Sequence, residues 1–329
     1  MIDDAAAMNA AMRQSAEWVH ALRDEIGRVI VGQKYMVDRM IIGLLTGGHI
    51  LLEGAPGLGK TLAVKVMAQA ICATFQRIQF TPDMLPADII GTQIYNPKTG
   101  DFYRKNGPIF ANVILADEIN RAPAKVQSAL LECMQELQVT IGGESNKLPQ
   151  PFVVFATENP VEHEGTYPLP ESQIDRFLLK LKIEYPTRIE ELKILDEAAK
   201  VDRKISASAV VSIDQILDSR LLVDEIFIGE SVREYAVDII SATRKPSDYG
   251  IDMDHFVRFG ASPRATIALV LAAKSWAFLH GRSYVTPQDV KAIGMDVLRH
   301  RIAITYLADA EGVTGEVIAA RILNTVRVP

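Results

Sequence analysis

The sequence predicts an α/β domain with a parallel sheet, followed by a helical domain. Up to about Pro186, short apolar segments alternate with stretches of helical periodicity, which is typical of βαβ crossovers. Several of the apolar segments are continuous, as expected of strands buried on both faces of a parallel sheet. Beyond Thr187 almost every segment has a helical pattern. We therefore expect an α/β core over residues 1–186 and a helical domain over residues 187–329.

The core is expected to begin with two helices, one through Trp18, Leu22 and Ile26 and one over roughly Met36–Leu45. Strands should follow, with helices between them, to build the sheet. The five expected strands are His49–Glu53, Phe75–Phe80, Asn112–Ala116, Phe152–Thr157 and Leu178–Ile183.

Two segments of the core have the pattern of a β-hairpin, in which extended pieces flank a turn. In the first, Thr92–Tyr95 and Asp101–Tyr103 flank the turn Asn96–Gly100. In the second, Gln138–Ile141 precedes the glycine turn that opens Gly142–Lys147. Both are expected to be insertions into the α/β core.

The second domain is expected to consist of helices with recognisable starts. Ser212 with Gln215 fits a capping box, and Ser262 and Thr286 each place a capping hydroxyl before a first-turn proline. The expected helices are Arg188–Lys200, Asp214–Leu222, Ser231–Arg244, Pro263–His280 and Pro287–His300.

Composition limits the classes of function. The net charge of −6 gives no basic field that would favour nucleic acid or an anionic membrane. The two cysteines, Cys72 and Cys133, lie in apolar helical patterns and are expected to be small core residues. No secretion signal is apparent, and the longest apolar stretch, around Ile41 to Leu52, is too short to span a bilayer. A reducing cytoplasm is the expected location.

The stretch from Gly54 to Thr61 matches a phosphate-binding loop at every fixed position, between an apolar strand and a helix. Its glycines let the backbone approach an anion, and the helix N-terminus supplies positive potential. Lys60 is expected to reach the β- and γ-phosphates of a nucleotide, and the Thr61 hydroxyl to bind Mg²⁺. The alternative is a chance glycine turn. The expected nucleotide-binding residues here are Gly54, Ala55, Pro56, Gly57, Leu58, Gly59, Lys60, Thr61 and Leu62.

Two carboxylates, Asp117 and Glu118, end a later apolar strand. Residues at strand ends emerge at the carboxyl edge of the sheet, where open α/β folds bind ligands. Asp117 is placed to hold the Mg²⁺ shell, and Glu118 to polarise an attacking water as a general base. The alternative is a turn whose acidic residues favour the N-terminus of the next helix.

Three more polar residues are candidates for the same site. Asn159 ends another apolar strand and is expected to orient the water or touch the γ-phosphate, although an Asn-Pro turn is the alternative. Arg176 precedes the last core strand. Arg264 lies in the first turn of a helix, where a cation opposes the helix dipole and an anionic partner would explain it. The alternative for both arginines is a surface position beside an acidic residue.

Further blocks, in a fixed order, connect these residues. They are Gln79–Gly91, Gly107–Asn112, Ala116–Pro123, Gln127–Glu132, Gly165–Pro170 and Gly260–Ala265. With these blocks, nearly the whole chain resembles the MoxR-type ATPases of the AAA+ superfamily. Glu158 departs from that family, which usually has glutamine there; little effect is expected, because Asn159 matches the sensor residue.

The resemblance implies an AAA+ P-loop NTPase core, with a five-stranded parallel sheet, flanking helices and β-hairpin inserts, followed by an α-helical lid. Lys60 and Thr61 correspond to Walker A, Asp117 and Glu118 to Walker B, and Asn159 to sensor 1. The matching adenine-side residues are Val31, Gly32 and Gln33.

The resemblance also implies a shared site. Arg176 is similar to the arginine finger, which in this superfamily reaches the nucleotide of the neighbouring subunit, and Arg264 is similar to sensor 2 of the lid. A monomer then lacks a complete site, and hydrolysis requires a homo-oligomeric ring, expected to be a hexamer.

The implied function is hydrolysis of ATP, with Mg²⁺, by a chaperone-like factor that remodels or matures protein complexes. A protein client and a partner with a von Willebrand factor A domain are expected by resemblance alone. The hairpins resemble inserts that face the ring's pore or surface, and Tyr103, Arg104 and Lys105 are candidates to touch a partner.

Two other functions remain open from the sequence. A nucleic-acid motor shares this clade, but the acidic balance and the lack of a basic, aromatic-laced stripe argue against it. The second open function is a nucleotide-gated scaffold with little turnover. The presence of all three candidate catalytic residues argues against a scaffold: Glu118, Asn159 and Arg176.

Overall fold

The computed structural model describes residues 2–159, 166–199 and 206–329, with side chains from residue 9 onward. Pro160, which follows sensor candidate Asn159, and Gly165 and Lys200, at the ends of expected segments, lie outside the described residues.

The strands, in chain order, are β1 (Ile50–Glu53), β2 (Phe75–Gln79), β3 (Gly91–Tyr95), β4 (Phe102–Asn106), β5 (Val113–Asp117), β6 (Gln138–Ile141), β7 (Glu144–Lys147), β8 (Val153–Glu158), β9 (Leu179–Lys182), β10 (Val257–Phe259) and β11 (Ala303–Ile304). The helices are α1 (Ile2–Ser15), α2 (Glu17–Gly27), α3 (Lys34–Thr46), α4 (Lys60–Ala70), α5 (Pro86–Ile90), α6 (Ala124–Glu136), α7 (Glu171–Ile174), α8 (Arg188–Ala198), α9 (Ile213–Glu225), α10 (Glu230–Arg244), α11 (Pro263–Leu279), α12 (Pro287–Leu298), α13 (Tyr306–Ala310) and α14 (Gly315–Thr325).

A five-stranded sheet with the order β2-β5-β8-β1-β9 forms the centre of the α/β part. Strand β5 pairs in parallel with β2 and β8, and β8 pairs in parallel with β1. Every residue of β5 is buried, as its continuous apolar sequence requires of a strand covered on both faces. The predicted parallel sheet is confirmed. Its topology brings the ends of β1, β5 and β8 side by side.

Both predicted hairpins are present. Strands β3 and β4 pair antiparallel from Gly91↔Asn106 to Tyr95↔Phe102, and β6 pairs with β7 in the same sense. Gly91 adopts a φ of 97°, and a Cβ there would lie 2.2 Å from the Lys105 carbonyl oxygen. Only glycine therefore lets the first hairpin close at its base.

The chain forms two compact units. The α/β unit comprises the described residues of 20–176 and 181–215, and the helical unit those of 1–19, 177–180 and 216–329. The sequence boundary between residues 186 and 187 stays a prediction. Within the described ranges, no helix is both long and apolar enough to cross a membrane.

The predicted helix starts are confirmed by hydrogen bonds. The Gln215 amide donates to Ser212 Oγ at 3.2 Å, and the Arg264 amide donates to Ser262 Oγ at the same distance. The Thr286 amide donates to Asp289 Oδ2 at 2.7 Å, which closes the start of α12. Each cap satisfies a backbone group that the first helical turn leaves unpaired.

The prediction for one cysteine was wrong. Cys133 is buried on α6, and burial raises the pKa of its thiol to about 12. Cys72 is exposed, because α4 ends at Ala70 and the chain turns there with Cys72 at a φ of 54°. The helical pattern in the sequence continued past the point where the helix ends.

Candidate functional site

The glycine-rich loop between β1 and α4 is shaped to hold an anion. Gly57 and Gly59 adopt φ angles of 85° and 80°, a left-handed conformation that glycine tolerates without steric cost. A Cβ at Gly54 would lie 2.8 Å from the Ile183 carbonyl oxygen, so that position also requires glycine. Lys60 is the first residue of α4, and the positive end of that helix faces the loop.

Lys60 projects back across the loop, where its Nζ donates a hydrogen bond to the Gly54 carbonyl. Burial lowers the pKa of the Lys60 ammonium, and the negative charges of Asp117, Glu118 and Glu53 oppose that shift. An additional anion in the loop would therefore stabilise the charged form of Lys60.

A cleft of about 390 Å³ opens above the loop. Its walls combine the loop with Arg77 of β2 and with residues at the carboxyl ends of β5 and β8, the edge where α/β sheets bind ligands. The lining residues are Pro56, Gly57, Leu58, Gly59, Lys60, Thr61, Leu62, Arg77, Asp117, Glu118, Thr157, Glu158 and Asn159. The structure thus brings together the loop, both predicted carboxylates and the predicted asparagine.

Asp117 ends β5 and is nearly buried, and two side chains hold its carboxylate. Thr157 Oγ1 donates to Asp117 Oδ1 at 2.6 Å. Arg77 donates to Asp117 Oδ2 through Nε at 2.9 Å and through Nη2 at 2.5 Å. The Arg77 side chain is 50% exposed and the Asp117 side chain 12%, so the ion pair lies at the mouth of the cleft.

Glu118 follows in a left-handed backbone conformation, with a φ of 56°, which is uncommon outside glycine. Its amide donates to Thr157 Oγ1 at 2.8 Å, which helps to hold the turn. Its Oε2 accepts from Gln79 Nε2 at 2.8 Å and from Arg121 Nη1 at 2.9 Å. Strain of this kind at a cleft is a mark of functional sites.

A second cleft, of about 170 Å³, adjoins the first, since Gly57, Leu58, Gly59 and Leu62 line both. Its other lining residues are Val29, Ile30, Val31, Gln33, Pro186, Ile194 and Glu197. This wall is more apolar than that of the first cleft, as the flat face of a base requires.

The predicted segment Val31, Gly32 and Gln33 forms one edge of this second cleft. Gly32 and Gln33 adopt φ angles of 70° and 55°, and Gln33 Nε2 donates to the Glu184 carbonyl at 3.2 Å. Gly32 itself packs on α8, because a Cβ there would lie 2.4 Å from Glu190 Oε1. The segment is thereby fixed against the start of that helix.

Neither predicted arginine lines the two clefts. Arg176 follows α7 and is half-buried, and its Nη1 donates to the Leu131 carbonyl at 3.2 Å. Its buried Nε has no hydrogen-bond partner among the residues described. Arg264 is exposed at the second position of α11, in the helical unit.

The residues present fit a magnesium ion. Thr61 and Asp117 line the same cleft, and their hydroxyl and carboxylate oxygens are the hard ligands that Mg²⁺ prefers. No group of three or more histidine, cysteine, aspartate or glutamate side chains with metal-binding geometry occurs in the described part of the chain. Mg²⁺ normally binds only a few protein ligands, and phosphate oxygens and water molecules complete its coordination shell.

The sequence patterns do not identify Arg77, Gln79 and Thr157 as residues of the site. Arg77 and Gln79 are two residues apart on edge strand β2, so both side chains point to the same face. Gln79 is the register partner of Asp117. Two polar residues with a spacing of two on a strand could have indicated that Arg77 and Gln79 belong to the site. That interpretation requires knowing that β2 lies beside β5.

Two family models match the chain. The model of the ATPase family associated with various cellular activities (AAA) matches residues 49–179, and that of the AAA lid domain matches residues 253–322. The first match contains every residue that lines the first cleft, and the second match contains Arg264.

Named relatives and a solved structure agree with these matches. The protein "Chaperone MoxR1" of Mycobacterium tuberculosis is 49% identical over 93% of this chain and 81% of its own length. The protein YeaC of Bacillus subtilis, which is uncharacterised, is 44% identical over 93% of both chains. A crystal structure from Cytophaga hutchinsonii, of a protein assigned as an ATPase by inference, has a TM-score of 0.91 and 46% identity, and the match covers 100% of this chain and 99% of that one.

Proposed function

The chain belongs to the MoxR family of AAA ATPases, and we propose that it hydrolyses ATP to ADP and phosphate. The turnover would serve chaperone-like remodelling or maturation of protein complexes. The observation that carries the proposal is the single cleft lined by Lys60, Asp117, Glu118 and Asn159. A phosphate-binding loop, a pair of carboxylates and a polar amide in one cleft are the parts that hydrolysis of a nucleotide requires.

In this mechanism the loop binds the phosphates. The backbone amides at the start of α4 point toward the anion, and Lys60 exchanges its bond to the Gly54 carbonyl for the β- and γ-phosphate oxygens. Thr61 and Asp117 would hold Mg²⁺, which when bound neutralises charge on the phosphate oxygens. Asp117 must then release Arg77, whose guanidinium occupies its Oδ2.

Glu118 accepts the proton of the attacking water as general base. In the structure its carboxylate is held by Gln79 and Arg121, so it must turn away from at least one of them to meet the water. Asn159, also at the cleft wall, is the group that orients the water or contacts the γ-phosphate. The apolar second cleft, with Val31 and Gln33, is the place for the adenine.

The complete site requires a neighbouring subunit in this proposal. Arg176 does not line the cleft, which supports a role toward the nucleotide of the next copy in a ring, expected to be a hexamer. Arg264 on α11 would sense the nucleotide from the lid and convert loss of the γ-phosphate into movement. The client is a protein, in keeping with the name of the mycobacterial relative, and a von Willebrand factor A domain protein is the proposed partner.

The test measures phosphate release and the binding of a fluorescent ATP analogue in the wild type and in Lys60→Ala. The wild type should release phosphate from ATP, whereas Lys60→Ala should lose ATP affinity by about tenfold or more, because a charge-assisted bond to phosphate is worth about 1.5–3 kcal/mol. Lys65→Ala is the matched control, since Lys65 is exposed on the same helix and lines neither cleft. Equal turnover by the wild type and Lys60→Ala would remove the basis of the proposal.

A further prediction concerns the ion pair between Arg77 and Asp117. Arg77→Gln should release Asp117 Oδ2 from its ion pair and lower the Mg²⁺ concentration for half-maximal phosphate release by roughly twofold to fivefold, because a half-exposed ion pair is worth about 1 kcal/mol or less. Arg121→Gln is the control, because Arg121 pairs with Glu118 instead and should leave the Mg²⁺ requirement unchanged. The same Mg²⁺ requirement in Arg77→Gln and wild type would show that the pair does not compete with the metal.

A further inference from the structure

The chain that directly follows Arg176 is held by the end of helix α12. Arg301 lies three residues after that helix and is buried, with 8% of its surface exposed. Its Nη2 donates to the Phe177 carbonyl at 2.6 Å, and its Nη1 donates to the Leu178 carbonyl at 3.1 Å. The same Nη1 donates to the Val297 carbonyl of α12 at 2.6 Å. One guanidinium therefore joins the last turn of α12 to the two residues after Arg176.

A histidine and a buried ring reinforce this attachment. His300 Nε2 lies 3.2 Å from the Phe177 carbonyl oxygen and donates to it, because a carbonyl oxygen can only accept. The Phe177 side chain is fully buried. Residues 177–180 belong to the helical unit, whereas Arg176 is the last residue of the α/β unit before them. The residue next to Arg176 is thus fixed through both its backbone and its side chain.

The choice of an arginine for this attachment indicates that position matters there. Burial of a guanidinium costs desolvation free energy, and apolar side chains could pack two segments together without that cost. An arginine differs from apolar side chains in that its planar fork holds several carbonyl oxygens in a fixed arrangement. The groups held here are the residues beside Arg176, and a misplacement of about 1 Å at a catalytic site can cost about 100-fold in rate.

We propose that Arg301 is a positioning residue, which sets where Arg176 reaches in the site of the neighbouring subunit. Arg301 lines neither cleft, so it acts through the chain that it holds. This inference rests on the proposed function, in which Arg176 is the arginine finger. Arg301 lies within the residues that match the AAA lid domain. The lid of one subunit would then control how fast its neighbour hydrolyses ATP.

The first test is Arg301→Lys, made alone and together with Arg176→Ala. Lysine keeps the positive charge but lacks the planar fork that spans the carbonyls. Phosphate release by Arg301→Lys should therefore fall by about tenfold to a hundredfold, with the affinity for an ATP analogue within about threefold of wild type. In the Arg176→Ala background the same change should alter release by less than about twofold, because the finger is already absent. Unchanged release by Arg301→Lys, or an equal fall in both backgrounds, would overturn the inference.

Arg299→Lys is the matched control for the stability of the lid. The Arg299 side chain is 10% exposed and pairs with Asp296 of α12 at 3.3 Å and with Glu316 of α14 at 3.7 Å, so these bonds stay within the lid. Both variants are assayed well below their melting temperatures. Arg299→Lys should keep phosphate release within about twofold of wild type. A parallel loss in the two variants would show that the stability of the lid, and not the position of Arg176, sets the rate.

The second test places the change in a subunit whose own site is inactive. Lys60→Ala/Arg301→Lys subunits can contribute only their Arg176, so their mixture with Arg176→Ala should recover about tenfold less phosphate release than the mixture of Lys60→Ala with Arg176→Ala. Lys60→Ala/Arg299→Lys should recover as much as Lys60→Ala. Equal recovery with and without Arg301→Lys, in rings of equal mass, would overturn the inference and leave the proposed function standing. No recovery with Lys60→Ala itself would instead contradict the shared site, and the inference with it.

Discussion

Glu118→Gln is expected to leave a protein that binds ATP and barely hydrolyses it. The side-chain amide matches the carboxylate in size, so the turn at residue 118 and the backbone hydrogen bond to Thr157 Oγ1 should persist. An amide does not accept the proton of the attacking water at neutral pH. Loss of a general base typically costs about 10²- to 10⁴-fold in rate. We therefore expect phosphate release to fall by that factor and ATP affinity to change by less than about threefold.

Steady-state phosphate release and binding of a fluorescent ATP analogue measure the two quantities separately. Glu132→Gln is the matched control, because Glu132 is exposed on α6 and lines neither cleft. It should behave as wild type in both assays. Turnover by Glu118→Gln within a few-fold of wild type would show that another group is the base.

Arg176→Ala should fold and bind ATP, yet lose most of its turnover. Arginine fingers contribute about 10³- to 10⁵-fold in phosphoryl transfer. In the structure the Arg176 guanidinium donates to the Leu131 carbonyl, an acceptor without net charge, and its Nε has no partner in the described residues. A phosphate of the neighbouring subunit would be a stronger partner. The loss should appear in the rate of hydrolysis far more than in ATP affinity.

Mixing variants distinguishes action in trans from action within one chain. Lys60→Ala subunits bind ATP poorly but keep Arg176, so they should complete the sites of Arg176→Ala neighbours and partly restore phosphate release. A mixture of Lys60→Ala with Glu118→Gln is the control, because no combination of those chains yields a whole site. If verified mixed rings of Lys60→Ala and Arg176→Ala recovered no phosphate release, Arg176 would act on the nucleotide of its own chain or would not be an arginine finger.

The centre of the sheet could be predicted from the sequence because strands β1, β5 and β8 are buried on both faces. Strand β5, Val113–Asp117, is apolar up to its final carboxylate, and this pattern has no helical period. Helix α14 was missed, because it begins at Gly315, a poor helix former, and is fixed by packing of Ile318 and Ile322. The pair β10 and β11 was missed because strands of two or three residues carry no periodic pattern.

The site was predictable where one continuous motif carries the chemistry, as in the loop from Gly54 to Thr61. Arg77 and Thr157 could not be found in this way. Both act through Asp117, which is 40 residues from each, and their meeting depends on the order of strands β2, β5 and β8. Strand order is set by packing of the whole sheet and leaves no local trace in the sequence.

The most direct test of a shared ATP site is the phosphate-release rate per subunit across a range of protein concentrations, with the assembled mass measured in the same samples. The account predicts that the rate per subunit rises in step with the fraction of chains in rings and approaches zero for the monomer. A monomer that releases phosphate as fast, per subunit, as the assembled protein would contradict it.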